Sequence, residues 1–435
     1  MHQKLGSAIA SVTVGALAFA LAACGSGSTG TGSDAGSGEG SGSGEVTVLS
    51  WRLADPGALG KLHQSWIDAF NKSQDKITVK GEPVPFADKG TKLVNTALSG
   101  SAPDIVAITT SEIADYAKYL QPVDKYWEGE GAAFSGAFTD SAKALATWDG
   151  QLWGIPIEDG TSDAVYYNKK VLAKAGVDVE NAVSSWDNFR AALKAIKTSG
   201  STPMVFQGKD ASSFERHWAW YVAGGVNLND PNQYVKEMCG PAAEKTFTWL
   251  TGLYSDGGLV PNPSGIGYDE LTRQFAAGDV GFVTDGPWGL GIYEGNNAGI
   301  KDDLGVTHMP PMDQGGATGA NEDALIFVVP KEAKNPVGAW EFMKYMSTDA
   351  AQQASAEAGG FVPTRTAVFD SPAVTGNELL STYSTLIKQS GFTRPRGPKM
   401  AEMRQILITA YQAAATGQQP AAEAFQSACG QLKGL

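Results

Sequence analysis

The chain has 435 residues, with 33 Lys and Arg against 46 Asp and Glu and a formal net charge of −13. That balance excludes nucleic acid, which requires clustered Lys and Arg, and it disfavours a polyanionic ligand unless one local basic pocket overrides the mean. With 42% hydrophobic and 18% charged residues, the chain builds sizeable cores, and its length calls for two domains.

Met1 to Lys4 form a short positive start and Leu5 to Ala22 an apolar run, which ends in Leu21-Ala22-Ala23-Cys24. This is the pattern of a secretory signal, residues 1–23, with small residues before the cleavage point. The Gly- and Ser-rich flank lacks the cationic stop of a membrane-spanning helix. L-A-A-C resembles a bacterial lipobox, which implies lipidation of Cys24. Residues 24–44, almost wholly Gly, Ser and Thr after Cys24, read as a flexible tether; its last 20 residues have a root-mean-square reach of roughly 25 Å. Cys239 and Cys429 are a candidate disulfide in an exported chain, although sequence does not give their separation in space.

The body opens on a strand pattern, Glu45 to Trp51, then a helix pattern with Leu62, Trp66, Ile67 and Phe70 on one face. Strands follow at Ile77-Thr78-Val79 and Pro103 to Ile108, with a helix over Lys89 to Leu98 between them. Such alternation predicts an α/β domain with a largely parallel sheet. Trp148 to Ile157 reads as a turn between short strands, and Val165-Tyr166-Tyr167 as another strand followed by a helix from Lys169 toward Gly176. Ser185 caps a helix through Ile196. Phe214 to Leu253 is helix-rich, Leu325 to Val329 is a buried-type strand, and helices follow at Val337–Tyr345, Ala350–Ala358 and from Met400 to Leu432.

No catalytic signature is legible: there is no G-x-S-x-G elbow, H-E-x-x-H, P-loop or dinucleotide fingerprint, and so no cofactor. The four histidines are scattered, so no metal site is expected. Glu158-Asp159 is at most half of a glycosidase carboxylate pair. The aromatic supply points elsewhere. Of eleven Trp, three (Trp51, Trp153 and Trp288) fall at strand ends or turns. Flat rings beside Asp, Glu, Asn and Arg suit sugars, which present an apolar ring face and a belt of hydroxyls; core packing is the alternative for any single Trp. In FERHWAWYVAGG, Trp218 is the candidate to face such a site.

Ordered motifs then make a resemblance specific: VTVLSW at 46–51, APDIVAI at 102–108, DGQLWGIPI at 149–157, AVYYNKKVLAKAG at 164–176, SWDNF at 185–189, FAAGDVGFVTDGPW at 275–288, and the run from Asp323 to Arg365. The chain resembles an extracellular solute-binding lipoprotein of an ABC importer, of the maltose-binding type, over essentially all of Glu45 to Leu435. The resemblance implies a two-lobed α/β fold of the periplasmic-binding-protein type, with lobe I at 45–158 plus 311–362 and lobe II at 163–307 plus 366–435. Three hinge crossings are implied near 159–163, 307–310 and 362–366, with ligand in the cleft between lobes and no chemistry performed. Trp288 takes the place of the family's stacking tryptophan, with Asp285 as hydroxyl partner or turn cap. Trp51, Arg52, Thr110, Glu158 and Asp159 are implied ligand contacts, with core packing for Trp51 and helix capping for Thr110 as alternatives. Asn321, Glu322 and Asp323 depart from the family's Gly-rich pattern and are candidates for specificity or for a solvated strand start. Phe361 and Arg365 flank the last crossing, where Arg365 is alternatively a structural ion pair. The implied partners are a mono- or oligosaccharide and ABC permease subunits, for a monomer anchored by lipid to the outer face of the cell membrane. Competing readings are another uncharged or cationic solute, such as a polyamine or peptide, and a secreted glycoside-processing enzyme.

Overall fold

A computed structural model describes residues 42–159, 163–319, 322–359, 361–389 and 393–435. The expectations for the signal, Cys24, most of the tether and Asn321 fall outside the described residues. The apolar runs become strands of two main sheets. In chain order the strands are β1 (Gly44–Ser50), β2 (Ile77–Pro83), β3 (Ile105–Thr109), β4 (Leu120–Gln121), β5 (Thr147–Trp148), β6 (Gln151–Leu152), β7 (Gly154–Asp159), β8 (Ala164–Asn168), β9 (Thr202–Val205), β10 (Val280–Asp285), β11 (Leu304–Thr307), β12 (Ala324–Pro330) and β13 (Val362–Pro363).

The first sheet runs β13-β7-β12-β3-β1-β2, with β4 also pairing β12; the second runs β11-β8-β10-β9. Both are mixed, so the expected largely parallel sheet is corrected. β1 is parallel to β2 and β3, whereas β12 is antiparallel to β3 and to β7. The reason lies in the path of the chain. β7 ends, and β12 begins, where the chain passes between the sheets, so the two run in opposite directions. In the second sheet β8 begins and β11 ends at that boundary, and they too pair antiparallel. β5 and β6 form a hairpin around Asp149-Gly150, whose φ values of 50° and 74° suit a two-residue turn requiring positive φ twice.

Local chemistry sets the element ends. Asn335 caps Pro336–Met346 by accepting from the Gly338 N–H at 3.0 Å, and proline fills the first helical position, where no N–H is needed. Ser185 caps Trp186–Thr198 in the same way. β12, ALIFVVP, is buried along its whole length, as expected of a central strand covered on both faces. With Trp66, Ile67 and Phe70 of helix Ala58–Ser73 and with Trp340 and Phe342, it forms the core of the first lobe. The second sheet alternates. Val165 and Phe282 face one core with Phe189, Trp220 and the C-terminal helices, and Tyr166 and Val283 face another with Phe275 and Tyr293. Cys239 and Cys429 are joined by a disulfide, Cα atoms 5.5 Å apart, tying the end of helix Tyr234–Met238 to the last helix, Ala421–Leu432. Among the described residues no helix is long and apolar enough to cross a membrane.

Candidate functional site

Strands ending at the boundary deliver their next side chains to one place. A cavity of about 220 Å³ is lined by Trp51 and Arg52 after β1, Thr109 at the end of β3, Glu158 on β7, Gln207 after β9, Trp288 after β10, and Asp323 to Leu325 at the start of β12. Asp55, Phe86, Ser212, Arg216, Tyr268, Asp269 and Arg394 complete most of the wall. A crevice at the carboxyl ends of strands is where open α/β sheets bind ligands.

Trp288 occupies the N-cap of helix Gly289–Asn296, with φ −60° and ψ −22°, so the turn that carries it starts a helix. Its indole folds back over Gly286, where a Cβ would lie 2.1 Å from the ring, so only glycine fits there. The ring lies near-parallel to Phe361 (centroids 6.4 Å apart, 22° between planes), and the Arg216 guanidinium stands 4.9 Å from its centroid. The wall around it is therefore flat and apolar with charged rims.

Those charges are paired within the protein. Arg52 donates from Nε to Glu158 at 2.9 Å and from Nη1 to Asp55 at 2.9 Å, while His63 Nε2 meets the other Glu158 oxygen at 2.8 Å. Burial alone would raise the Glu158 pKa, but the Arg52 charge and the His63 hydrogen bond outweigh it and hold the carboxyl below its usual range. Arg216 sits 3.1 Å from Asp163 and 3.4 Å from Asp285. Arg394 donates to Asp323 at 2.8 Å and lies 3.3 Å from Asp163 and 3.4 Å from Glu215. No arginine in the wall carries surplus charge.

Of the residues singled out in sequence, Trp288, Trp51, Arg52, Glu158 and Asp323 line the cavity. Others stand elsewhere, each for a physical reason. Asp285 is fully buried behind the wall. Its carboxylate accepts from Tyr293 at 2.7 Å, Tyr268 at 3.1 Å and the Gly286 N–H at 2.8 Å, the last being the turn cap given as its alternative, and it faces Arg216. Thr110 is fully buried and donates to Asp323 at 2.6 Å, and Ser111 donates to the same carboxylate, fastening β3 to β12. Trp218 is core, edge-on to Phe214. Glu322 accepts from Ser141 at 2.5 Å, away from the cavity. Phe361 backs Trp288 from a fully buried position, with the Arg52 guanidinium 4.4 Å from its ring. Arg365 pairs with Asp349 at 2.8 Å and lies over Phe138, the structural alternative. The Asp159 backbone belongs to β7; its side chain is outside the described residues.

Sequence reasoning passed over Gln207, Arg216, Tyr268 and Arg394. Arg216 lies inside FERHWAWYVAGG, where a charge among residues that must pack was itself a signal. Gln207 and Arg394 carry no such mark, because only the strand ends and the meeting of lobes bring them to the cavity.

A cavity walled by two α/β lobes, with paired charges around aromatic rings, defines a two-lobed binding protein. The chain belongs to the family of bacterial extracellular solute-binding proteins, which it matches over residues 65–382. It is 24% identical over 296 residues to the multiple sugar-binding protein of Streptococcus mutans, covering 66% of this chain and 68% of that one. It is also 24% identical over 295 residues to the sn-glycerol-3-phosphate-binding periplasmic protein of Rhizobium meliloti, covering 64% and 67%. In structure it is similar to the GacH receptor of Streptomyces glaucescens, solved unliganded and with acarbose, with a TM-score of 0.79, 24% identity, and coverage of 90% and 98%.

Proposed function

We propose that this chain is the lipid-anchored capture component of an ABC importer, that it binds a mono- or oligosaccharide between its lobes, and that it delivers the sugar to a membrane permease without altering it. The observation that carries this reading is the wall itself: Trp51, Phe86, Tyr268 and Trp288 supply flat apolar surface beside polar groups, the pairing that a sugar ring and its hydroxyls require. The Streptococcus mutans relative and the acarbose complex of the similar structure point to the same class. Glu158, held below its usual pKa by Arg52 and His63, is unsuited to the general-acid role that glycoside hydrolysis requires of one carboxylate. Lobe closure about the crossings would bury the sugar and present a surface to the permease. The L-A-A-C motif at 21–24 and the Gly/Ser run behind it support a lipid on Cys24 and an extracytoplasmic place at the membrane.

A thermal-shift panel tests the binding reading. A sugar at a hundredfold excess over its Kd stabilises the folded chain by about 2.7 kcal/mol. The reading expects at least one mono- or oligosaccharide to raise the melting temperature and spermidine to leave it unchanged; a shift with spermidine and none with any sugar would refute it.

A further inference from the structure

We infer that Asp269 is a specificity-determining residue at the rim of the cavity: its carboxylate accepts hydroxyl hydrogens from a neutral sugar and turns phosphorylated ligands away. The inference rests on the carbohydrate reading and narrows it. Asp269 lines the cavity and is exposed, whereas the other charged side chains of the wall are buried or half-buried. Its place is fixed from both sides. Tyr268, the residue before it, donates from its hydroxyl to Asp285 at 3.1 Å and has the Arg216 guanidinium 5.5 Å from its ring. Thr272 donates from Oγ1 to the Asp269 carbonyl oxygen at 3.1 Å within helix Tyr268–Ala276.

Ion pairing separates Asp269 from its neighbours. Arg52 meets Asp55 and Glu158, Arg216 meets Asp163 and Asp285, and Arg394 meets Asp163, Asp323 and Glu215. Among the described residues, Asp269 is the one charged side chain of the wall that makes neither an ion pair nor a hydrogen bond. Glu270 shares the first turn of the helix, but it pairs with Arg273 at 2.6 Å and lies outside the wall. Both acids suit a helix N-terminus; only Asp269 is left open at the cavity. A carboxylate accepts through both oxygens, so neighbouring hydroxyls on one ring can donate to it together. A phosphate also only accepts and carries the same sign of charge, and every arginine it would meet already faces at least two carboxylates. An ammonium would be drawn to Asp269, but the Trp288 and Tyr268 rings on which it would stack already carry the Arg216 guanidinium. A neutral hydroxylic ligand meets neither obstacle.

Calorimetric titration of the full chain with maltose, D-galactose, L-arabinose and sn-glycerol 3-phosphate tests this. At least one neutral sugar is expected to bind the wild type at least a hundredfold more tightly than the phosphate. Asp269→Asn, which removes the charge and one accepting oxygen, should weaken that sugar about tenfold and narrow its lead over the phosphate. Asp269→Ala serves if the first variant does not fold. A folded variant with unchanged sugar affinity, whatever its melting temperature, would confine Asp269 to the helix end and overturn the inference. Glycerol phosphate binding the wild type as tightly as the sugar would overturn it too, and in both cases the carbohydrate reading would stand. Failure of every sugar to bind would overturn both.

Discussion

Arg216 shows how much of this site is held from behind. Its guanidinium lies against the Trp288 and Tyr268 rings and faces two buried carboxylates, Asp163 and Asp285. Replacing one partner of a buried ion pair leaves the other charge uncompensated and typically costs about 3–5 kcal/mol. Arg216→Met should therefore lower the unfolding free energy by about that amount in urea denaturation. A change below 1 kcal/mol would show that the carboxylates find other partners. Legibility differed sharply among such residues. Trp288 stood out as a large ring at a turn, in the place of the family's stacking tryptophan, and Glu158 because the resemblance implies an acidic contact at the first crossing. The resemblance implied Asp285 as a hydroxyl partner, with a turn cap as the alternative; its enclosure by Tyr268, Tyr293 and Arg216 depends on residues 17 before, 8 after and 69 before it in the chain, which local pattern does not connect.

At the level of elements, the lobes touch through glycine. Helix Gly289–Asn296 of the second lobe meets the segment before helix Ala58–Ser73 of the first, and a Cβ on Gly57 would come 2.8 Å from the Gly295 Cα. Backbones that close tolerate no side chain between them. Gly295→Leu is expected to hold the lobes apart, weaken ligand binding about tenfold or more, and enlarge the radius of gyration in small-angle scattering. Unchanged scattering and affinity would mean that the contact plays no part in closing the cleft. The elements themselves were largely readable: Lys89–Leu98 has the expected bounds, and Ser185 caps the helix that follows it as expected. Strand direction was not readable. A β-branched run looks the same whether it enters or leaves the boundary, and direction follows from the crossings, which make β12 antiparallel to β3.

Across the whole molecule the lobes are also joined by charge. Arg404 on helix Met400–Ala415 lies 3.6 Å from Asp115 of the first lobe, and Arg396 donates to the carbonyl oxygens of Ala144 and Leu145. Burial raises the Asp115 pKa to about 6 against the pull of Arg404, with Glu112 and Glu215 adding to the rise. The folded chain thus holds this proton at pH values where the unfolded chain has released it. This group's contribution to stability therefore grows as pH falls from 7 to 5 and is lost as pH rises through about 6. Relative to Asp115→Asn, which mimics the protonated side chain, the wild type should gain about 1 kcal/mol over that interval in urea denaturation. A difference independent of pH would contradict the assignment. The two-lobed plan was legible because ordered motifs along the chain carried the resemblance, whereas this bridge was not, since Arg404 and Asp115 meet only once the lobes do.

Titration of a neutral sugar into the wild type and Trp288→Ala tests the central claim most directly. The sugar should be the one that most raises the melting temperature. The indole lines the cavity at 8% exposure and supplies its flat wall. Removing it is expected to weaken binding about tenfold or more, with the variant still folded by circular dichroism. Equal affinities in the two proteins would place the ligand elsewhere and contradict the account.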